Sequence, residues 1–530
     1  ALLRTNDKIW QSRRLVHLGG DATRAIEENF DAAAGWGQQV EREDLRPANA
    51  IWIRPERYFL TNTLTATADA SPLLAPGWQA LNGEQHLLLP FTPRILDFFS
   101  PTDIRELLRP EYRKVENGIT FSFQLPVAGR MERVQKTYRT RPGAGEGRID
   151  TLAAVPPVEI FPRYVDAAWR RYYVFQGGAE QVTVNPVVPA TCSVTERTHT
   201  SAESPTTARA VEIAGEGAYP EALVFAAALS NATGAPNGSG ASGHTDNVLG
   251  LALVPRPPEP PGLAGEWRIG IDFGTSNTNV FRQSTATNLA ERWRFDFPQY
   301  LLDVTAPRAE RDAVLREFFV PPEPVELPIP TALRVFEDAR KTHGLLDYAI
   351  FFSAQYEVPR NVHADIKWDG EEELNTKPFL KSLLFLLLIE VGLQRVSRVT
   401  LACSYPKAYS LSLRSRYEGA WESVVKELLD EPATAVFLRH QRAGSTGPEV
   451  SDPEFHTEGV AAGEFFASEL TIPDLADRAN KQIAAVALDV GGGTTDISIW
   501  HRNAIVFDAS VLLAGRQISR LLQQSPRVLE

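Results

Sequence analysis

The stretch RIGIDFGTSNTNV, residues 268–280, decides how the chain is read. Ile269, Ile271 and Phe273 alternate as in a buried strand. That strand nevertheless carries a carboxylate, Asp272, and breaks into a small polar turn, Gly274-Thr275-Ser276-Asn277. A second stretch, AAVALDVGGGTTDISIW at 484–500, has the same design. An apolar run from Val486 to Val490 delivers Asp489 to the turn Gly491-Gly492-Gly493-Thr494, and a strand follows in which Ile497 and Ile499 alternate with Ser498 and Trp500. Glycine lets backbone amides approach an anion with no side chain in the way, so both turns suit a phosphate. Thr275, Ser276, Thr494 and Thr495 add hydroxyl donors. An acid at each strand end suits Mg2+, held through water, because that ion takes oxygen ligands and dehydrates reluctantly. Either hairpin alone is an ordinary turn, but two of them in one chain are what a phosphate-binding cleft between two related lobes requires.

The remaining composition narrows the class. With 530 residues, 43% of them hydrophobic, the chain has apolar material for about three domains. A net charge of -12 excludes a global basic field that would recruit nucleic acid or anionic lipid. Cys192 and Cys403 lie too far apart in sequence to suggest a disulfide framework or a metal spacing, and read as buried free thiols in a reducing cytoplasm. The chain opens at Ala1 with no basic-then-apolar signal segment, as a fragment would. The most apolar stretch, FLKSLLFLLLIEVGL at 379–393, is interrupted by Lys381, Ser382 and Glu390. It is too short to span a membrane and reads as a buried helix.

Two breaks set the organisation. NATGAPNGSGASGH (231–244) predicts a mobile loop, and PRPPEPPGLAG (255–265) a stiff proline-rich linker. The expected domains are 1–254, a mixed, β-rich accessory domain of unknown role; 266–483, carrying the first hairpin; and 484–530, carrying the second. Within the first, NGITFSFQLPV alternates as a strand that pairs with RMERVQKTYRT, PTDIRELL reads as a short capped helix, and WRRYYVF as core. Nine Lys/Arg between 105 and 141, interleaved with acids, read as a solvated face. PPEPVELPIP (321–330) predicts an extended loop, and no repeat of fixed period is evident. His343 and His363 lack a second ligand pair at metal spacing.

GIDFGTSNTNV and LDVGGGTTDISIW resemble the phosphate-1 and phosphate-2 motifs of the actin, hexokinase and heat-shock chaperone ATPase superfamily. The resemblance is closest to the seventy-kilodalton heat-shock chaperones and their bacterial relatives. VSRVTLACSYPKAYS (396–410) is similar to their strand and loop reading ITVPAYF, and TEGVAAGEFF (457–466) resembles their NEPTAAAIAY. It covers about 265–530, half of the chain.

The resemblance implies an α/β actin-like ATPase with ribonuclease H-like lobes. The second lobe is expected to be incomplete, because the sequence reaches Glu530 soon after the second motif and LLAGRQISRLL (512–522) matches only the following helix. The implied cofactors are ATP or ADP and Mg2+. Asp272 and Asp489 would flank the metal-phosphate centre, while Gly274, Thr275, Ser276 and Asn277, with Gly491, Gly492, Gly493 and Thr494, would bind the phosphates. Asp496 would order the attacking water or the metal's hydration shell, Glu458 would join the lobes near the nucleotide, and Lys367 in HADIKW would point at the γ-phosphate. The implied function is ATP hydrolysis that drives lobe closure and regulates a protein partner or client. An actin-like filament or cytoskeletal adaptor, a sugar-type kinase and a binding-only pseudo-ATPase are the competing readings.

Overall fold

The computed structural model describes residues 14–17, 50–53, 55–67, 87–127, 130–152, 156–165, 169–179, 182–200, 207–227, 247–255, 257, 265–285, 290–304, 318–320, 324–336, 345–352, 361–364, 366–368, 376–430, 449–450, 452–462, 485–501 and 504–515. The loop expected at 231–244, His343, and most of the linker at 255–265 and of the helix at 512–522 lie outside them.

After a two-stranded parallel pair, Arg14–His17 with Ala50–Ile53, comes a sheet of five strands: β1 (Thr63–Thr67), β2 (Glu111–Val115), β3 (Gly118–Val127), β4 (Arg130–Arg139) and β5 (Gly147–Leu152), in the order β1-β5-β4-β3-β2. The expected hairpin forms, with Phe121 opposite Lys136 and Phe123 opposite Val134. Ile119, Phe121, Phe123 and Leu125 lie on its buried face. Lys136 departs from the expected solvated face, because it alternates with Val134 and Tyr138 on the core side. Its ammonium donates to the Thr61 carbonyl at 3.0 Å and to Asn62 Oδ1 at 2.9 Å. PTDIRELL is helical, with Ser100 and Asp103 forming a reciprocal capping box.

Seven strands follow: β6 (Val158–Phe161), β7 (Arg171–Gln176), β8 (Val182–Val187), β9 (Ser193–Thr200), β10 (Thr207–Ala214), β11 (Ala222–Ala227) and β12 (Val248–Leu253). β9-β10-β7-β6 form one sheet, extended by Leu302–Asp303, and β8-β11-β12 form another. All six residues of β7 are buried, as WRRYYVF leads one to expect.

The sheet that positions the site is built from β13 (Glu266–Phe273), β14 (Asn277–Ser284), β15 (Ala290–Arg292), β16 (Arg398–Tyr405) and β17 (Glu454–Thr457). β15, β14 and β13 run antiparallel in turn, β16 lies parallel to β13, and β17 parallel to β16. The proline-rich patch 321–330 supplies a short strand here, since Ile329–Pro330 pairs with Asn277 and Thr278; the expectation of a bare loop is corrected to that extent. Helices α1 (Thr376–Leu393) and α2 (Leu411–Asp430) flank β16 in sequence.

α1 contains the apolar stretch 379–393, expected as a buried helix. It is buried on every side because two layers enclose it. Phe379 meets Phe273 of β13 at 5.5 Å, while Phe385 meets Trp169 and Tyr173 at 5.9 Å each. Glu390, its one buried acid, accepts from Arg282 at 2.9 Å. No helix among the described residues is long and apolar enough to cross a membrane. The apolar core is therefore continuous from the strands around Val158 to Val450. A second core lies between the five-stranded sheet and the segments around Phe59, Phe91 and Ile95. Cys403 is buried, whereas Cys192 is only half-buried at the outer sheet, which corrects the expectation of two buried thiols.

The last sheet is a three-stranded meander of β18 (Ala485–Val490), β19 (Thr495–His501) and β20 (Ala504–Val511). Its burial inverts the expected pattern. Val486, Leu488 and Val490 are 59%, 62% and 59% exposed, while Thr494, Asp496 and Ser498 are buried. Thr494, Asp496 and Ser498 lie on the covered side, and no described element packs on the apolar face of β18.

Candidate functional site

The site gathers at the carboxyl ends of three parallel strands. In open α/β sheets these ends, next to a reversal of strand order, are where ligands bind. β13 ends with Asp272 and Phe273, β16 with Ser404 and Tyr405, and β17 runs into Glu458. Ile271 pairs with Cys403 and Tyr405 with Thr457, so the three ends are level. Ser404 Oγ donates to Asp272 Oδ1 at 3.0 Å.

The first turn is tight. A Cβ on Gly274 would lie 2.3 Å from the Asn277 carbonyl, so only glycine closes it. Thr331 braces the turn from outside. Its hydroxyl donates to the Gly274 carbonyl at 2.8 Å, and its amide donates to the Ser276 carbonyl at 2.9 Å. Thr275 is buried, while Ser276 and Asn277 lie exposed.

The second turn meets the first. The Gly491 amide donates to the Thr494 carbonyl at 2.9 Å, and a Cβ on Gly492 would lie 2.3 Å from Ser276 Oγ and 3.6 Å from Thr275 Cβ. The two turns, far apart in sequence, thus touch, with the Gly492 backbone against the Ser276 side chain.

Lys367, on a short helical turn before α1, reaches Glu458 Oε1 at 2.5 Å, with side-chain exposures of 2% and 11%. Glu458 is pushed up to about 8. Burial is the largest cause, opposed by Lys367 and reinforced by Asp496 and Asp272. Asp489 is also raised, by partial burial first and then by Asp272 and Asp496, with Lys367 opposing. These couplings bring Asp272, Lys367, Glu458, Asp489 and Asp496 into one electrostatic group.

Four acids around one lysine leave an excess of negative charge that a cation would balance. Among the described residues no three His, Cys, Asp or Glu side chains stand close enough to hold a metal directly. Asp496 Oδ1 is buried with no hydrogen-bond partner. This donor set fits a hydrated divalent cation contacted through its waters, with Asp272, Asp489 and Asp496 as the acceptors. His363 lies exposed on a separate three-stranded sheet.

Residues that the sequence reading passed over complete the site. Asp508 of β20 accepts from Thr457 Oγ1 at 2.9 Å and from the Lys407 ammonium at 3.1 Å, and its carbonyl accepts from Lys407 at 2.7 Å. Gly459 passes beneath it, where a Cβ would lie 2.6 Å from Asp508 Oδ1. This contact ties the meander to the ends of β16 and β17, on either side of Glu458. Ser404, Thr331 and Asp508 have no local motif; only the strand register reveals them.

No family model matches the sequence, and no curated protein matches it. Among solved structures, MreB5 of Spiroplasma citri bound to ADP overlaps with a TM-score of 0.23 and 15% identity, covering 50% of this chain and 57% of that chain. MreB 5 of Spiroplasma citri bound to AMPPNP gives a TM-score of 0.21 and 17% identity with the same coverage. The matched part spans a little over half the length of those proteins, and at such TM-scores the overlap decides nothing about the site.

Proposed function

We propose that the cleft between the two hairpins binds MgATP and hydrolyses its terminal phosphoanhydride, with the resulting lobe motion regulating a protein partner. The single observation that carries this reading is the meeting of the Gly274–Ser276 and Gly491–Thr494 turns beside Asp272, Asp489, Asp496 and the Lys367–Glu458 pair. The strand order β15-β14-β13-β16-β17 supports it, being the order expected of a ribonuclease H-like lobe. The meander β18-β19-β20 corresponds to the opening of a second such lobe.

In this reading the amides of Gly492 and Gly493 and the hydroxyls of Thr275 and Thr494 cradle the β- and γ-phosphates. Lys367 gives up its contact with Glu458 to meet the γ-phosphate, which Coulomb attraction favours over a carboxylic acid that stays protonated near neutral pH. Asp496 accepts a hydrogen bond from the attacking water and holds it in line. Water oxygen bonds to the γ-phosphorus, the bond to the bridging β,γ-oxygen breaks, and ADP, inorganic phosphate and a proton leave. Mg2+, when bound, supplies charge neutralisation on the phosphate oxygens. Loss of the γ-phosphate removes what the two turns share, so the hinge between them relaxes.

The test is phosphate release from MgATP by the wild-type chain and by Lys367→Ala. Loss of turnover by about 100-fold with nucleotide still bound supports the reading. Unchanged turnover, or transfer of γ-label to a sugar acceptor, overturns it.

A further inference from the structure

The two hairpins carry their polar residues in the same register. Asp272 and Asn279 are seven residues apart and face each other across β13 and β14, as Asp489 and Asp496 do across β18 and β19. Directly opposed residues share one face of a sheet. Ile271 and Val280, the neighbouring pair, lie in the core. Asp272 and Asn279 therefore point to the other face, where Ser404 reaches Asp272.

At the matching positions two acceptors lack a donor. Asp496 is 2% exposed and its Oδ1 has no hydrogen-bond partner. The Oδ1 of Asn279 is buried and likewise unpartnered. A buried acceptor left dry is unfavourable, so both positions call for a donor from outside the chain. The waters of a hydrated cation have protons to give, whereas fully ionised phosphate oxygens have none.

We propose that Asn279 and Asp496 form a pseudo-symmetric pair whose Oδ1 atoms hold the water shell of a divalent cation between the hairpins, and that the amide at 279 keeps the site's charge low enough to admit a polyphosphate. The proposal rests on the MgATP reading above and adds a residue that determines specificity. Asp272, Glu458, Asp489 and Asp496 already face a single lysine. A fifth acid would strengthen the hold on the cation but repel the phosphate chain. An amide supplies the acceptor without the charge, and its Nδ2 can also donate to a phosphate oxygen.

The experiment uses Mn2+ and inorganic tripolyphosphate as probes on the full chain, with the wild type compared with Asn279→Asp and Asn279→Leu. Free Mn2+ is read by its solution paramagnetic resonance signal, and melting curves report folding of each variant. For Mn2+ alone, Asn279→Asp is expected to bind about tenfold tighter and Asn279→Leu about tenfold weaker, the scale typical of residues that orient a metal's ligands. For the Mn2+-tripolyphosphate complex, Asn279→Asp is expected to bind about tenfold weaker. The opposite signs for one variant are what a merely structural role would not produce. A wild type that binds the complex, with both variants within about twofold of it, overturns the role of Asn279 and leaves the cleft intact. A wild type that binds neither probe overturns the nucleotide reading itself, and this inference with it.

Discussion

Replacing Glu458 by glutamine should make the protein more stable at neutral pH. The wild-type carboxyl is held near 8 in the fold against a reference of 4.5, chiefly because burial disfavours its charge. Below pH 4.5 both folded and unfolded chains carry the proton, and the group costs nothing. As pH rises from 4.5 towards 8 the unfolded chain ionises while the folded chain stays protonated, so stability falls with pH through that window and levels off above it. One pH unit is worth about 1.4 kcal/mol, so the 2.5 units between 4.5 and 7 amount to about 3 kcal/mol at pH 7. Glutamine keeps the shape and an oxygen for the Lys367 ammonium but does not titrate. Glu458→Gln should therefore unfold in urea with about 3 kcal/mol more stability than wild type at pH 7, and with no difference at pH 4.5. A Glu458→Gln variant that is less stable than wild type at pH 7 would refute the reasoning. It would mean that Lys367 holds the carboxylate ionised and that the folded group titrates below its reference.

Asp508→Ala removes the carboxylate that accepts from Lys407 and Thr457, and leaves only the backbone carbonyl for Lys407. Amide exchange should then quicken in β17 and β20 but not in the β3–β4 hairpin, with a local loss of about 2 kcal/mol. Phe385→Ala empties a position shared by Trp169, Tyr173 and Phe319. It should cost about 3–5 kcal/mol, and denaturation followed at β7 and at α1 should shift together, because one core joins them; separate transitions would contradict that continuity.

The local parts of the site were legible in the sequence. A Gly/Thr turn between alternating strands is a short-range pattern, so both hairpins, the buried helix at 379–393 and the β3–β4 pairing could be read directly. Lys367 and Glu458 were reached through resemblance, and the structure brings them together at 2.5 Å. What stayed hidden depends on contacts distant in sequence. Nothing local to Asp508 announces that Thr457 and Lys407 will converge on it. Nothing local to Leu302 announces that it pairs with Ile160 and extends the β9-β10-β7-β6 sheet. The inverted burial of β18 and β19 has the same origin. Alternation shows that a strand has two faces, while the layer packed against them decides which one is covered.

The central claim is that the two hairpins form a single metal-phosphate cleft. Calorimetric titration of MgATP into wild type, Asp272→Ala, Asp489→Ala and the double variant tests it most directly. One cleft predicts that each single variant loses affinity by about tenfold or more and that the double variant is scarcely worse than either single one. Independent, additive losses, or a single variant that binds as wild type does, would contradict it.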